Sequence, residues 1–346
     1  MDEHAIDVGT ITLEVTHRCH RQCSFCYVPD RRPEPAADEL TAEEFVRAAR
    51  SLINQTGCKR VQLSGGEPLL RPDLLQIIDG LLEAGAKVSM ITDGAHLKDR
   101  LIGELFERGV GPIQPTLLSG EPTLHDSMRG NGAFRSVTRS IAASWAAGLE
   151  VIVCMVVTRR NWQEAEGVAE VAFALGARGL AISRFCPAGA AVEAVDALMP
   201  DAVQVRDACV AAARVCGHLG IPLATAVTIP ACVWEDPDHP PLRVGVCSLV
   251  GPRCGVTVGP DGGVRSCALS TVTVGNILDD SWEELSRRLW ERQIKPMRSA
   301  IPGPCVDCAQ LSRCLGGCRL SAEAVFGNFE HPDPLAPVSA WRGRKD

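Results

Sequence analysis

Cys19, Cys23 and Cys26 stand in the run CHRQCSFC, with three and then two residues between successive thiols, directly after an apolar, strand-like run at 11–16. Three thiolates on one short loop leave the four-cysteine shell of a 4Fe-4S cluster one ligand short, so one iron would stay open to a non-protein ligand. An open iron is a reactive iron. A zinc knuckle or a set of redox thiols are the other chemistries these residues could serve. Structural zinc, however, closes its shell with four ligands and usually opens on a Cys-x-x-Cys type of pair. A second signal follows the next strand-like run, about forty residues on: Ser64-Gly65-Gly66-Glu67-Pro68. Paired glycines let a backbone approach a ligand closely and adopt conformations closed to other residues.

This spacing, with the aromatic Phe25 before the third cysteine and the GGE stretch at the next strand end, resembles the radical SAM enzymes. The resemblance implies that Cys19, Cys23 and Cys26 hold a 4Fe-4S cluster whose open iron is chelated by the amino and carboxylate groups of S-adenosylmethionine (SAM). It implies that the loop of Gly65, Gly66 and Glu67 meets the methionine amino group. Reductive cleavage would then give methionine and a 5′-deoxyadenosyl radical that abstracts hydrogen from a substrate. Thr92-Asp93-Gly94 stands where relatives often carry Thr-Asn-Gly at the SAM site, which makes Thr92 and Asp93 expected contacts, with an acid in place of the amide. Thr116-Leu117-Leu118-Ser119-Gly120 resembles a fourth-strand stretch of relatives, and Ser119 is the expected ribose-hydroxyl contact; a turn or cap serine is the other reading. His125-Asp126 reads as structural, the aspartate capping a turn.

Strand-like runs at 11–16, 60–64, 87–92, 112–118, 150–157 and 179–185 alternate with helical patterns near 41–56, 71–85, 97–108, 133–147, 161–175 and 201–219. Short buried runs alternating with amphipathic helices predict an α/β fold with a parallel sheet and helices outside. Six such units fit the partial (βα)6 TIM barrel that the resemblance implies. In barrels of this kind chemistry gathers at the C-terminal ends of the strands, where both motifs fall. After about 220 the character changes. Proline and glycine punctuate the chain, Gly259-Pro260-Asp261-Gly262-Gly263 predicts a hairpin turn, and a helix is expected near 281–292. We expect a barrel domain over 1–225 and a small cysteine-rich α+β domain over 226–346.

Cys247, Cys254 and Cys267 precede Cys305-x2-Cys308-x5-Cys314-x3-Cys318, seven cysteines within seventy-two residues and a metal-binding signature. The stretches CGVTVGPDGGVRSC, VGNI and CVDCAQLSRCLGGCR resemble the SPASM domain, the auxiliary-cluster module of radical SAM maturases. The resemblance implies two auxiliary iron-sulfur clusters, the first on Cys247, Cys254, Cys267 and Cys318, the second on Cys305, Cys308 and Cys314. A zinc ribbon over the last four is the other reading, because thiolate sites serve both metals. One departure stands out. Relatives usually supply a last cysteine in an Asp-Pro-x-Cys stretch, whereas Asp333-Pro334-Leu335-Ala336 ends in alanine and no cysteine follows Cys318. The second cluster therefore needs a non-cysteine ligand, for which Asp333 is expected and His331 is nearby, or keeps an open iron.

Arg184-Phe185-Cys186-Pro187-Ala188-Gly189 resembles an R-x-x-P-x-G stretch of several SPASM enzymes and would set Cys186 near the barrel mouth, where a thiol could return a hydrogen atom to a substrate radical. Cys232, near the domain boundary, is the second candidate for that role. A small buried apolar residue is the alternative for both, and the expected role of Cys58, Cys154, Cys209 and Cys216.

With 346 residues, 46% of them hydrophobic, the chain can bury one large core and a smaller unit. A net charge of −7 offers no electrostatic grip on nucleic acid or an anionic membrane. No apolar run approaches the roughly 20 residues of a membrane span, and Met1-Asp2-Glu3-His4 does not begin a signal peptide, so a cytoplasmic location is expected. Sixteen cysteines then argue for metal and redox use rather than disulfides. The expected activity is radical oxidation or remodelling of an unactivated C–H position of a peptide. Two alternatives remain: dehydrogenation or epimerisation of a sugar, cyclitol or aminoglycoside, and electron transfer without SAM chemistry. Only ten residues precede the first strand-like run, which leaves no room for an N-terminal peptide-recognition domain and keeps a small-metabolite substrate in play. The expected partners are the substrate, a flavodoxin or ferredoxin as electron donor, and a separate peptide-recognition protein.

Overall fold

The computed structural model describes residues 6–28, 31–234, 242–249, 251 and 253–337. Strands β1 (Val8–Thr16), β2 (Arg60–Gly65), β3 (Lys87–Thr92) and β4 (Ile113–Pro115) pair in parallel in chain order. β5 (Ile152–Val157) and β6 (Gly179–Arg184) form a second parallel sheet with β7 (Leu223–Thr225) and β8 (Leu242–Arg243). Two parallel bridges, Ile113 to Val151 and Thr116 to Cys154, join the two sheets between β4 and β5. The six expected βα units are thus present as a parallel α/β array. The fourth strand is shorter than its apolar run, because Pro112 and Pro115 carry no N–H to give to a ladder.

Helices α1 (Ala42–Thr56), α2 (Leu74–Glu83), α3 (Asp99–Glu107), α4 (Pro122–Arg129), α5 (Ala133–Ala146) and α6 (Ala165–Ala174) cross over between the first six strands. After β6 come α7 (Val195–Leu198) and α8 (Ala202–Leu219). α1 shows why these segments are helical. Thr41 accepts from the Glu44 amide while the Glu44 carboxylate accepts from the Thr41 amide, a reciprocal cap worth about 1 kcal/mol. Phe45, Ala48, Ala49, Leu52 and Ile53 then repeat at helical spacing and are buried in one core with Ile11, Leu13 and Leu63. Along β1 the residues Ile11, Leu13 and Val15 face these helices, and by the two-residue period Thr12, Glu14 and Thr16 face inward. Gln62, Ser64, Ser89, Gln114 and Ser183 continue that polar inner face on the other strands.

The C-terminal stretch adds to the same sheet. β9 (Cys254–Val258) runs parallel to β1, aligning Val8 with Cys254 and Leu13 with Val258, and β10 (Gly263–Arg265) and β11 (Gly275–Asn276) follow antiparallel. The expected hairpin turn closes between β9 and β10, where Gly259 donates to the Gly263 carbonyl at 2.8 Å. Val256, Val258, Val264, Leu285 and Leu289 share the core that holds Leu13 and Phe45. α9 (Trp282–Leu289) continues through a π turn into α10 (Lys295–Ser299); α11 (Leu311–Cys314) and α12 (Arg319–Phe326) carry the last cysteines. Among the described residues, no helix is long and apolar enough to cross a membrane.

Candidate active site

The cysteine loop leaves the end of β1 and is held by the loop that follows β2. The Gly66 amide donates to the Thr16 carbonyl and the Glu67 amide to the Arg18 carbonyl, both at 2.8 Å. Gly65 has φ of +131°, and a Cβ there would stand 2.1 Å from the Thr16 oxygen; one on Gly66 would stand 2.3 Å from the Arg18 oxygen. The two glycines are therefore required for one loop to lie on the other, whatever ligand they also admit. Within the loop the Cys26 amide donates to the Cys23 carbonyl at 3.2 Å, and the Arg21 amide to the Cys19 Sγ at 3.4 Å. Cys23 and Phe25 are buried, and the Arg129 guanidinium lies over the Phe25 ring. Burial pushes the Cys19 thiol up to about 11, so a thiolate there needs a cationic partner such as a metal.

Glu67 ties the end of β3 to this loop. Its Oε1 accepts from the Thr92 hydroxyl at 2.7 Å and the Leu69 amide at 3.1 Å; its Oε2 accepts from the Asp93 amide at 2.7 Å. Burial, and next the charge of Asp93, push the Glu67 carboxyl up to about 8. Asp93, the acid where relatives carry an amide, is met from the cysteine loop itself by the Arg21 cation, Nε at 2.9 Å, and by His20 Nε2 at 3.0 Å, with Arg129 at 3.9 Å. Burial opposes ionisation there, but His20 and Arg129 outweigh it and hold the Asp93 carboxyl well below the usual carboxylate range. His20 and Arg21 were not singled out in the sequence, although they lie inside CHRQC and flank its cysteines.

Ser119 is enclosed, donating to Glu164 at 2.5 Å and accepting from the Glu121 amide at 2.8 Å, which is the turn-serine arrangement. Asp126 accepts from the Gly132 and Phe134 amides, so it is structural as expected. The stretch after β6 bridges two parts of the molecule. The Ala191 amide donates to the Cys26 carbonyl at 3.1 Å, and a Cβ on Gly189 would stand 2.4 Å from the Val28 oxygen. At its other end Cys186 is buried, donates to the Arg184 carbonyl at 3.5 Å, and has Cys318 and Asp333 among its charged neighbours. Glu14 on the inner face of β1 binds Arg265 of β10 and His17, and among the described residues its buried Oε1 has no hydrogen-bond partner.

Residues 13–172 match the model of the radical SAM superfamily. That match spans a little under half of the chain, and over it the chain is similar to the radical SAM superfamily. The "PqqA peptide cyclase" of Streptomyces rochei is 29% identical over 342 residues, which cover 96% of this chain and 90% of the relative. That of Rhodopseudomonas palustris is 28% identical over 349 residues, 96% of this chain and 88% of the relative. Streptococcus suis SuiB bound to precursor peptide SuiA shares the fold, with a TM-score of 0.74 at 15% identity over 96% of this chain and 77% of that one. So does native anSMEcpe with bound AdoMet, at 0.69 and 14% over 97% of this chain and 95% of that one.

The C-terminal cysteines fall into two neighbourhoods. Cys318, Cys247 and Cys186 surround the Arg184 guanidinium, and Cys267 lies beside Cys318, Arg265 and Glu14. Cys254, at the start of β9, has Arg298 and Asp7 rather than cysteines as its charged neighbours. Cys305, Cys308 and Cys314 form the second group, where the Cys308 amide donates to the Cys305 carbonyl at 3.1 Å. Asp333 does not lie free beside it. Its Oδ2 accepts from Arg184 and from the Cys318 amide, and its Oδ1 from the Leu335 amide. His331 stacks on Phe326, with ring centroids 4.8 Å apart. Cys232, the second candidate hydrogen-atom donor, stands in a turn against Cys314. Among the described residues no three His, Cys, Asp or Glu side chains gather at the spacing of a single metal ion; a cluster holds its thiolates further apart than one ion does.

Proposed function

We propose that this chain is a radical SAM maturase that oxidises or remodels an unactivated C–H position of a peptide. The observation that carries the reading is the clamp at the ends of β1, β2 and β3, where the three-cysteine loop, Gly66 and Glu67 are hydrogen-bonded to one another. When bound, the cluster and SAM supply an electron and a 5′-deoxyadenosyl radical. Cys19, Cys23 and Cys26 would hold three irons. Glu67 retains lone pairs for a methionine ammonium, whose charge would stabilise a carboxylate that burial penalises. Asp93 is already paired with Arg21 and hydrogen-bonded by His20, so its part is to fix the loop rather than to add free negative charge. Thr12, Gln62, Ser64 and Gln114 on the inner face would offer hydrogen bonds to a substrate's amides.

A peptide substrate is supported by what the relatives are called and by the peptide bound to SuiB. Auxiliary clusters on the two C-terminal cysteine groups would accept the electron left on a substrate radical, making a net two-electron oxidation. A flavodoxin or ferredoxin would supply the first electron, and a separate recognition protein would deliver the peptide. The test is anaerobic reaction of reconstituted protein with SAM, dithionite and short peptides encoded beside its gene. We expect 5′-deoxyadenosine together with a peptide lighter by two hydrogens. Absence of 5′-deoxyadenosine would defeat the chemistry, and 5′-deoxyadenosine with every peptide unchanged would defeat the substrate class.

A further inference from the structure

We infer that Cys232 is the fourth thiolate of the second auxiliary cluster, completing the set of Cys305, Cys308 and Cys314 from upstream in the chain. The inference rests on the reading that this second cluster exists. The C-terminal motif is one thiol short, since Ala336 stands where relatives carry cysteine and no cysteine stands between Cys318 and Asp346. Asp333 is a poor substitute, because three donors already occupy its two oxygens in a fully buried pair with Arg184.

Cys232 is differently placed. The Ala231 amide donates to Cys314 Sγ at 3.4 Å; burial acts most strongly on the Cys232 thiol, and the ionisable groups that bear on it are Cys314, Cys305 and Asp333. Consecutive Cα atoms are about 3.8 Å apart, so Cys232 begins within a side chain's reach of anything Cys314 holds. Its turn is fixed: Val233 and Trp234 both donate to the Pro230 carbonyl, at 2.9 and 3.3 Å. Of the six cysteines outside the motif runs, five are buried and Cys232 alone is exposed, like Cys308 of the proposed set. Packing explains the five; it does not explain an accessible thiol beside Cys314 and Cys305. Ligation would take all four as thiolates with loss of their protons, and the Ala231 amide would donate to a ligating sulfur.

The test uses full-length protein carrying Cys19→Ala, Cys23→Ala and Cys26→Ala, reconstituted anaerobically so that only auxiliary clusters remain. Cys232→Ala should change the electron paramagnetic resonance signal of one cluster and lower iron by up to about four per chain, as Cys305→Ala should. Cys232→Ser should keep more iron than Cys232→Ala and shift the cluster's midpoint potential, since oxygen replaces sulfur. In the otherwise unsubstituted protein, N-ethylmaleimide read by mass spectrometry should label Cys232 before reconstitution and fail to label it afterwards. Loss of iron in Cys305→Ala with unchanged iron, spectrum and labelling at Cys232 would overturn the inference alone. Unchanged iron in Cys305→Ala as well would remove the second cluster, and the inference with it.

Discussion

Arg184, at the end of β6, donates from Nη2 to Oδ2 of Asp333 at 2.5 Å, across 149 residues of chain and with both side chains fully buried. The same oxygen accepts from the Cys318 amide at 2.7 Å, so one carboxylate joins the end of β6 to the backbone of a proposed cluster ligand. Burial raises the Asp333 carboxyl although Arg184 opposes it, and Arg184 itself is held protonated by Asp333. Removing one member of such a pair strands the other charge. Arg184→Met or Asp333→Ala should each cost about 3–5 kcal/mol in urea unfolding, whereas Arg184→Met with Asp333→Leu should cost much less. A loss in the double variant equal to the sum of the single losses would mean that the pair contributes nothing beyond packing.

Asp333 also separates two roles. A carboxylate that ligates iron would, once replaced by asparagine, change a cluster spectrum; one that only positions Cys318 would keep its amide contacts in part. Asp333→Asn is expected to lower stability while total iron stays unchanged. A fall of about one cluster's iron would restore it as a ligand.

The loop contact makes a further prediction about Gly66. A valine Cβ would meet the Arg18 oxygen at 2.3 Å, which is backbone and cannot swing aside, so Gly66→Val should displace the cysteine loop. We expect loss of both SAM binding and about four irons, of the roughly twelve that three clusters would hold. Glu67→Gln should spare the iron, because its one amide oxygen still accepts from the Asp93 amide while its NH2 can donate to the Thr92 hydroxyl oxygen, and should weaken SAM binding by isothermal titration. Full iron in Gly66→Val would contradict the geometry.

Much of this was legible before any coordinates, because it is local. The helix over 41–56 follows from Thr41, Glu44 and an apolar stripe, and the cysteine and glycine runs state their chemistry by type and spacing. What could not be read is long-range pairing. Nothing in residues 254–258 says that they lie beside residues 8–13 rather than in a sheet of their own, since both are simply apolar runs. Gly66 reads as a ligand-facing glycine until the Arg18 carbonyl is seen against it. Ser119 reads as a ribose contact until Glu164 is found on its hydroxyl. Cys232 lies outside both cysteine motifs, and only the fold sets it against Cys314.

His125 gives the protein a sensitivity to acid that its clusters do not explain. The ring is buried beside Phe134, its Nδ1 accepts from the Leu118 amide at 3.2 Å, and burial, aided by Arg129, pulls its pKa down to about 4. An unfolded histidine titrates near 6.5, so on acidification the unfolded chain takes up a proton that the folded chain refuses. The contribution is intact above pH 6.5 and is lost progressively as pH falls toward 4. Between pH 7 and pH 5 this one group should remove about 2 kcal/mol of stability. His125→Gln has no such proton to gain. The difference in urea stability between the parent and His125→Gln should therefore narrow by about that amount over the same interval, whatever the variant costs at pH 7. A difference independent of pH would mean that His125 is protonated in the folded protein, with the Leu118 amide no longer bound to it.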